Sequence, residues 1–414
     1  MSLLGALGSR IGLVGLPVVA GLMLSASALP AQAPRSVTVP VTLDHNRMLV
    51  RAEVQRPDGS WRTALLWLDT GNPTMMLSES LARDLAIDLS GATRTAEGGS
   101  LDVPPPAVRI GGMPLRTDSV SARVYLEPFR IFRTMPVEGN LPSTILRRYD
   151  VVFDYPRRML TLARPGSVRP RGQRASASVN RTTGIVQIDA VVAGDTLSFA
   201  LDNGASFSFV SGDVLARLRE RHPDWPSATG AVGCANIWGW WPEEATWPLV
   251  RVPEIAWGPV RLTGVAIAGL PDFFRGLGLG GWYSQKTARP VVGFLGPNAF
   301  RHLRVEIDYA NGAVYFERGA APDIHDLDIV GLTVQVQADG RYLVAGVAPR
   351  DDGPSVPGVE PLDVLLEVGS LRVTGASMGT VVDALRGTPG DTRTLVLERA
   401  GRRFTVTATV KRFL

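Results

Sequence analysis

Two aspartates in matched settings are the residues of this chain best placed to do chemistry. Asp69 closes the apolar run Leu66-Trp67-Leu68 and is followed by Thr70-Gly71-Asn72-Pro73. Asp202 closes Phe199-Ala200-Leu201 and is followed by Asn203-Gly204-Ala205-Ser206. Two carboxyls held within hydrogen-bonding distance cannot both ionise cheaply, so they share one proton. One can then take a proton from water while its partner protonates the oxygen of the bond under attack. The pair titrates as a unit, so neither member has a fixed role at this level. Gly71 and Gly204 permit a tight turn that exposes the preceding carboxyl. The apolar runs would root each aspartate in a rigid strand.

The elements around the two loops recur in one order. Val37 to Val54 alternates like a hairpin, and Leu65 to Leu68 is a short buried strand delivering Asp69. Ser78 is placed to cap a helix through about Leu85. Gly91 to Pro106 reads as a Gly/Pro-rich loop, and Val108 to Leu115 begins a strand pair. Tyr149 to Leu162 closes the unit as a hairpin turning near Pro156. The second unit has Ile185 to Val192 and Leu197 to Leu201 as strands and Ser211 capping a helix. Val252 to Leu262 then matches Val108 to Leu115, and Leu303 to Phe316 matches the closing hairpin, with Asp308-Tyr309 on Asp154-Tyr155. Four matched landmarks in one order point to an internal duplication. Asp154 and Asp308 each precede Tyr and a turn, which suits structural turn residues. Gly166 to Arg181 and Pro322 to Leu327 read as linkers, and a small separate domain begins at Leu327, with its helix over Ser377 to Leu385.

Composition narrows the class. A chain of 414 residues with Gly 44 and Pro 31 suits several β-rich, turn-rich domains. The net charge of +4 rests almost wholly on Arg, with Lys only at 286 and 411. The basic residues are scattered without aromatic alternation, so nucleic acid is not an expected partner. Cys234 stands alone, and the four histidines form no metal-binding spacing, so no metal and no cofactor is expected. The run Gly276 to Gly281 does not sit between a strand and a helix, which argues against a dinucleotide loop. Met1 to Ala33 reads as a secretory signal with an apolar core over Ile11 to Leu24 and a cut after Ala28. An uncleaved N-terminal anchor is the alternative, and either places the rest outside the cytoplasm, in the periplasm or secreted. Cys234 reads as a buried small apolar residue.

At Asp69-Thr70-Gly71, in this duplicated frame, the chain resembles the retropepsin-like aspartic proteases. Val292-Gly293-Phe294-Leu295-Gly296 and Asp308-Tyr309 resemble that family's later strand and closing hairpin. The resemblance implies a mostly β fold with two acid-protease β-barrel lobes, residues 36–166 and 182–318, and the site between them. It implies Asp69 and Asp202 as the catalytic pair and peptide or protein as substrate, with both halves of the site on one chain. Thr70, Gly71, Asn203 and Gly204 would support the loops. Asn203 stands where the family usually has Thr or Ser, whose hydroxyl helps lock the loops together. An amide can also donate and accept, so the lock is either rebuilt or lost. In lobe one, Val137 to Pro142 matches the later strand less closely than Val292 to Gly296 does.

Trp238, Trp240 and Trp241 fall where the family's flap would lie, and serve either as a cover over substrate or as packing between lobes. Residues 327–414 resemble a PDZ domain, a small β-sandwich with helices. Gly331-Leu332 would then form its carboxylate-binding turn, and Leu362 stands where that family has Gly. That likeness implies capture of a peptide end or partner by strand addition, while a packing or dimerisation module is the plainer alternative. The expected activity is an exported aspartic endopeptidase. The competing classes are a catalytically inactive, protease-like peptide-binding or scaffold protein of the cell envelope, and a ligand-binding protein using the Trp cluster.

Overall fold

Alternating apolar residues make strands here, and paired strands dominate the computed structural model, with 46% strand against 13% helix. It describes residues 34–414 apart from 96–97, 272–278, 280, 282 and 351–352. The signal or anchor expected over Met1–Ala33, and most of the Gly276 to Gly281 run, lie outside the described residues.

The first hairpin pairs Ser36–Asp44 with Arg47–Gln55, and Asp44 faces Arg47 across the turn. His45 and Asn46 form that turn with φ of 47° and 65°. Two left-handed residues match the right-handed twist of the strands they join. The turn thereby fixes the position of Arg47. Arg47–Gln55 pairs in turn with Trp61–Asp69, which ends on the first aspartate.

Each aspartate loop is held open by a strand passing through it. In lobe one, Val137–Pro142 runs parallel to Trp61–Asp69 and antiparallel to Met75–Ser78. In lobe two, Gly293–Leu295 runs between Asp195–Leu201 and Ser208–Ser211 in the same senses. The strands entering and leaving each loop are thus two ladder spacings apart, roughly 10 Å, and cannot close as a hairpin. Glycine is required where the intervening strand crosses. A Cβ on Gly139 would lie 2.5 Å from the Met76 carbonyl oxygen, and one on Gly293 would lie 2.1 Å from that of Phe209. Gly139 therefore occupies in lobe one the place of Gly293 in lobe two, despite the poorer sequence match.

The closing hairpins of the two lobes join. Asp150–Asp154 pairs antiparallel with Leu303–Asp308, with Val152 opposite Glu306. A twofold axis through that pair carries Asp154 onto Asp308, the superposition expected from sequence. Both aspartates cap their turns: Asp154 Oδ1 accepts from Arg157 N at 3.1 Å, and Asp308 Oδ1 from Asn311 N at 3.0 Å.

Three expected boundaries change. The 166–181 stretch is not an irregular linker, because Gln173–Ser176 adds to the edge strand Ala313–Arg318. The Gly/Pro-rich loop carries a short hairpin, Thr93–Thr95 with Gly98–Val103. Polar strands thus pair where composition alone suggests no ladder. Ser78 caps Glu79–Asp84 through its side chain, whereas Ser211 precedes Gly212–Arg221 without a side-chain bond.

Residues from 327 form an antiparallel sheet in the order 332–336, 342–347, 364–368, 392–399 and 402–409, with the helix Met378–Leu385 against it. This domain is not separate. Its apolar residues, including Leu332, Val334 and Val381, join Phe207, Ile237 and Trp247 of lobe two in one continuous core. Leu362 has φ 74° and is 75% exposed, so it holds a glycine conformation without burying its side chain. Leu362→Gly is therefore expected to raise stability by about 0.5–1 kcal/mol, the left-handed penalty less the entropy glycine adds to the unfolded chain. Thermal denaturation of the two proteins checks this, and a lower midpoint for the glycine variant contradicts it.

Candidate active site

The two loops meet, and each glycine lies against the aspartate of the other lobe. A Cβ on Gly71 would fall 2.5 Å from Asp202 Cγ, and one on Gly204 would fall 2.5 Å from Asp69 Oδ1. No side chain fits at either position while the carboxyls stay where they are. The loops are tied beneath this contact. Thr70 Oγ1 donates to the Leu201 carbonyl at 2.8 Å and accepts from Asn203 N at 3.0 Å. Asn203 Oδ1 accepts from Thr70 N at 2.8 Å. The amide thus rebuilds the accepting half of the lock. Its donating half is unused: Asn203 Nδ2 and the nearby Tyr155 hydroxyl are both buried without a partner at bonding geometry.

The two aspartates have different surroundings. Asp69 is 7% exposed. Its Oδ2 accepts from Trp67 Nε1 at 3.2 Å and Asn140 Nδ2 at 3.4 Å, and its Oδ1 from Gly71 N at 3.2 Å. The corresponding positions in lobe two are Ala200 and Phe294, which donate nothing. Asp202 Oδ1 accepts from Gly204 N at 2.8 Å, and Asp202 keeps partial exposure. Burial raises the pKa of both, and for Asp69 the neighbouring Asp202 raises it further. For Asp202 the backbone N–H groups of Gly204 and Ala205 and the charge of Arg47 oppose the rise. Two carboxyls with raised pKa values in one enclosure retain a proton between them.

The cavity over the pair is about 260 Å³ and mostly apolar. Trp67, Ile131, Phe209, Ile237, Trp238 and Phe294 are among the residues of its wall. Tyr283 holds the first loop through a 2.8 Å bond from its hydroxyl to the Gly71 carbonyl. A larger cavity of about 400 Å³ lies elsewhere, beside Arg301, Asp323 and Arg386, and contains neither aspartate. Ion pairs join Asp323 to both arginines there, so size alone does not mark the chemistry.

Of the three flap tryptophans only Trp238 reaches the cavity. Trp240 stacks on Trp241 at 4.8 Å, and the Arg130 guanidinium lies 4.8 Å from the Trp240 ring. That contact joins the two lobes. The segment is not a hairpin; it runs between the 3-10 turns Gly233–Ala235 and Pro242–Thr246. The buried Glu244 carboxylate shapes it, accepting from Trp238 N at 3.2 Å and Gly239 N at 3.0 Å. The same segment lies along the edge strand of the C-terminal domain. Val336 N donates to the Gly239 carbonyl at 2.7 Å, Gln335 Nε2 to that of Trp240 at 2.9 Å, and Asn236 Nδ2 to that of Val334. A Cβ on Gly239 would strike Met378 Cε of the adjoining helix at 2.3 Å.

Gly331 and Leu332 are away from the aspartates. Both are buried, with Leu332 N bonded to the Val330 carbonyl and the Gly331 carbonyl taken by Ala348 N and Ser355 Oγ. The Leu332 N–H, one of the donors expected for a carboxylate there, is thus already bonded within the chain. Cys234 is buried, and burial pushes its thiol up to about 12, which agrees with a packing role.

Sequence reasoning missed Arg47, Trp67, Asn140, Tyr283 and Glu244. Asn140 was within reach through the equivalence of Gly139 with Gly293. Arg47 carried only the signal of a cation beside a tight turn. No family model matches this chain, and no curated protein matches it.

Burial pushes Glu244 up to about 8 from 4.5, against its two backbone donors and Arg47. The unfolded chain therefore releases this proton first as pH rises, and the folded state loses stability between those values. A denaturation midpoint that falls from pH 5 to 8 is expected, with a smaller fall in Glu244→Gln, which keeps an acceptor for both N–H groups. Equal slopes in the two proteins contradict this. Asn203→Thr removes the unpaired amide and restores a hydroxyl. It is expected to raise stability by about 1 kcal/mol, read by chemical denaturation; destabilisation would show that the amide is the better fit.

Proposed function

We propose that this protein is an aspartic endopeptidase in which Asp69 and Asp202 share one proton. The observation that carries the reading is the reciprocal approach of the loops, each glycine against the opposite carboxyl, with Thr70 tying the loops beneath. In the reaction a water held between the carboxyls gives a proton to the ionised member and attacks the peptide carbonyl carbon. The protonated member gives its proton to the carbonyl oxygen, forming a tetrahedral diol. Collapse of the diol returns a proton to the leaving nitrogen and breaks the C–N bond, so no metal or cofactor is part of the scheme. The aromatic wall keeps bulk water from competing for these protons.

We propose as well that Met1–Ala33 acts as an export signal or an N-terminal anchor, so that this activity lies outside the cytoplasm, with cell fractionation as the check. The second reading is an inactive scaffold that keeps the fold, and the unpaired Asn203 amide is the observation that favours it.

A mixed peptide library incubated from acid to neutral pH separates the readings. The expected result is cleavage with a bell-shaped pH dependence. Folded Asp69→Asn and Asp202→Asn proteins are each expected to lose at least about 10³-fold in rate. Retained cleavage in either variant removes the dyad, and absence of cleavage by the folded native protein at every pH favours the scaffold.

A further inference from the structure

Arg47 lines the cavity with Asp69 and Asp202, and among the described residues these are its only charged side chains. Arg47 is 3% exposed. Its Nε donates to the Gly204 carbonyl at 2.7 Å and its Nη2 to the Ile237 carbonyl, so it bridges the Asp202 loop and the cavity wall. Nη1 has no protein hydrogen bond among the described residues. Among the described residues no carboxylate lies within ion-pair distance of the guanidinium, and the Phe132 ring centroid is 5.9 Å from it. Asp44 and Glu244 favour its charge from outside the cavity, and Asp202 and Asp69 from within it. His45, its neighbour across the turn, is buried and held neutral by burial and by Arg47 itself.

A buried guanidinium with every neighbouring carboxyl beyond ion-pair distance is an expensive arrangement, because two carbonyls replace only part of its hydration. With Nε and Nη2 each donating to a carbonyl, Nη1 is the nitrogen left to meet a carboxylate oxygen, a charge-assisted bond stronger than a neutral one. The residue that accepts from Arg47 Nε, Gly204, also donates to Asp202 Oδ1. A group bound by Arg47 would thus sit beside the Asp202 loop. The rest of the wall suits an aromatic or aliphatic side chain.

We propose that Arg47 is a specificity-determining residue that binds a carboxylate of the substrate, so that the site takes peptides with an acidic group next to an apolar residue. This rests on the peptidase reading for its chemistry, although the binding itself needs no turnover. The carboxylate has two sources, an acidic side chain or the free end of a peptide chain.

The test is binding to full-length Asp69→Asn protein, followed by tryptophan fluorescence. Four N-acetylated hexapeptides share a Leu-Phe centre: Glu or Gln next to Phe with an amidated end, and Phe-terminated forms with a free or amidated carboxyl. A carboxylate-bearing member should bind about 10- to 100-fold tighter than its uncharged partner, the scale of a hydrogen-bonded charge. The pair showing the difference identifies the source. Adding Arg47→Gln should abolish the difference, and adding Arg47→Lys should retain part of it. Equal binding within both pairs overturns the proposal, as does discrimination that survives Arg47→Gln in protein of native circular dichroism. Should the glutamine variant fail to fold, the native-Arg47 comparison within the pairs decides. Acid-selective binding without cleavage by the native chain would remove the peptidase reading alone; cleavage without acid preference would remove only the role of Arg47.

Discussion

The hydrogen-bonded tie between the two aspartate loops is the contact on which the site depends. Thr70 reaches across the lobe boundary to the Leu201 carbonyl and the Asn203 N–H, and Asn203 returns a bond to Thr70 N. These bonds are buried, so losing one partner while the lobes stay together leaves the other without a substitute. They also fix the distance at which the carboxyls face each other. Each loop comes to this meeting already shaped by the strand passing through it, with Gly139 and Gly293 at the crossings. The shared sheet at Val152 and Glu306 sets the symmetry, and the tie sets the spacing.

Symmetry stops at the carboxyls. Trp67 and Asn140 donate to Asp69, while the matching Ala200 and Phe294 give Asp202 no side-chain donor. Arg47 acts on both but opposes the rise in pKa principally at Asp202. The two carboxyls of the repeated frame therefore sit in unlike surroundings. The asymmetry comes from the residues around the carboxyls, since the loops are nearly identical in path.

The duplication, the paired aspartates and the closing hairpins were legible because they are local patterns repeated in order. The register at Val152 and Glu306 agrees with the superposition of Asp154 on Asp308 read from sequence alone. What stayed hidden is non-local. Glu244 is one of two adjacent acids in a Trp-rich stretch, and nothing in that stretch says which one the fold buries beneath Trp238 and Gly239. The edge strand at Gln173–Ser176 looked like a linker because a strand on the rim of a sheet needs no apolar face of its own. Leu362 shows the converse: the sequence marked a position where glycine is usual, and the backbone keeps the glycine angle with leucine in place.

The stretch 236–240 has a consequence for what the C-terminal domain can do. A strand edge such as 332–336 would otherwise be a template for any passing chain. Here the protein covers it with its own backbone, anchored at Val336 and wedged against Met378. Because that cover is tethered, it competes as though present at roughly millimolar concentration. An outside peptide can claim the edge only by evicting Gly239, and Ile237 and Trp238 would leave the dyad's wall with it. Occupancy of that edge and integrity of the wall over Asp69 and Asp202 are thus mutually exclusive states of one short tether.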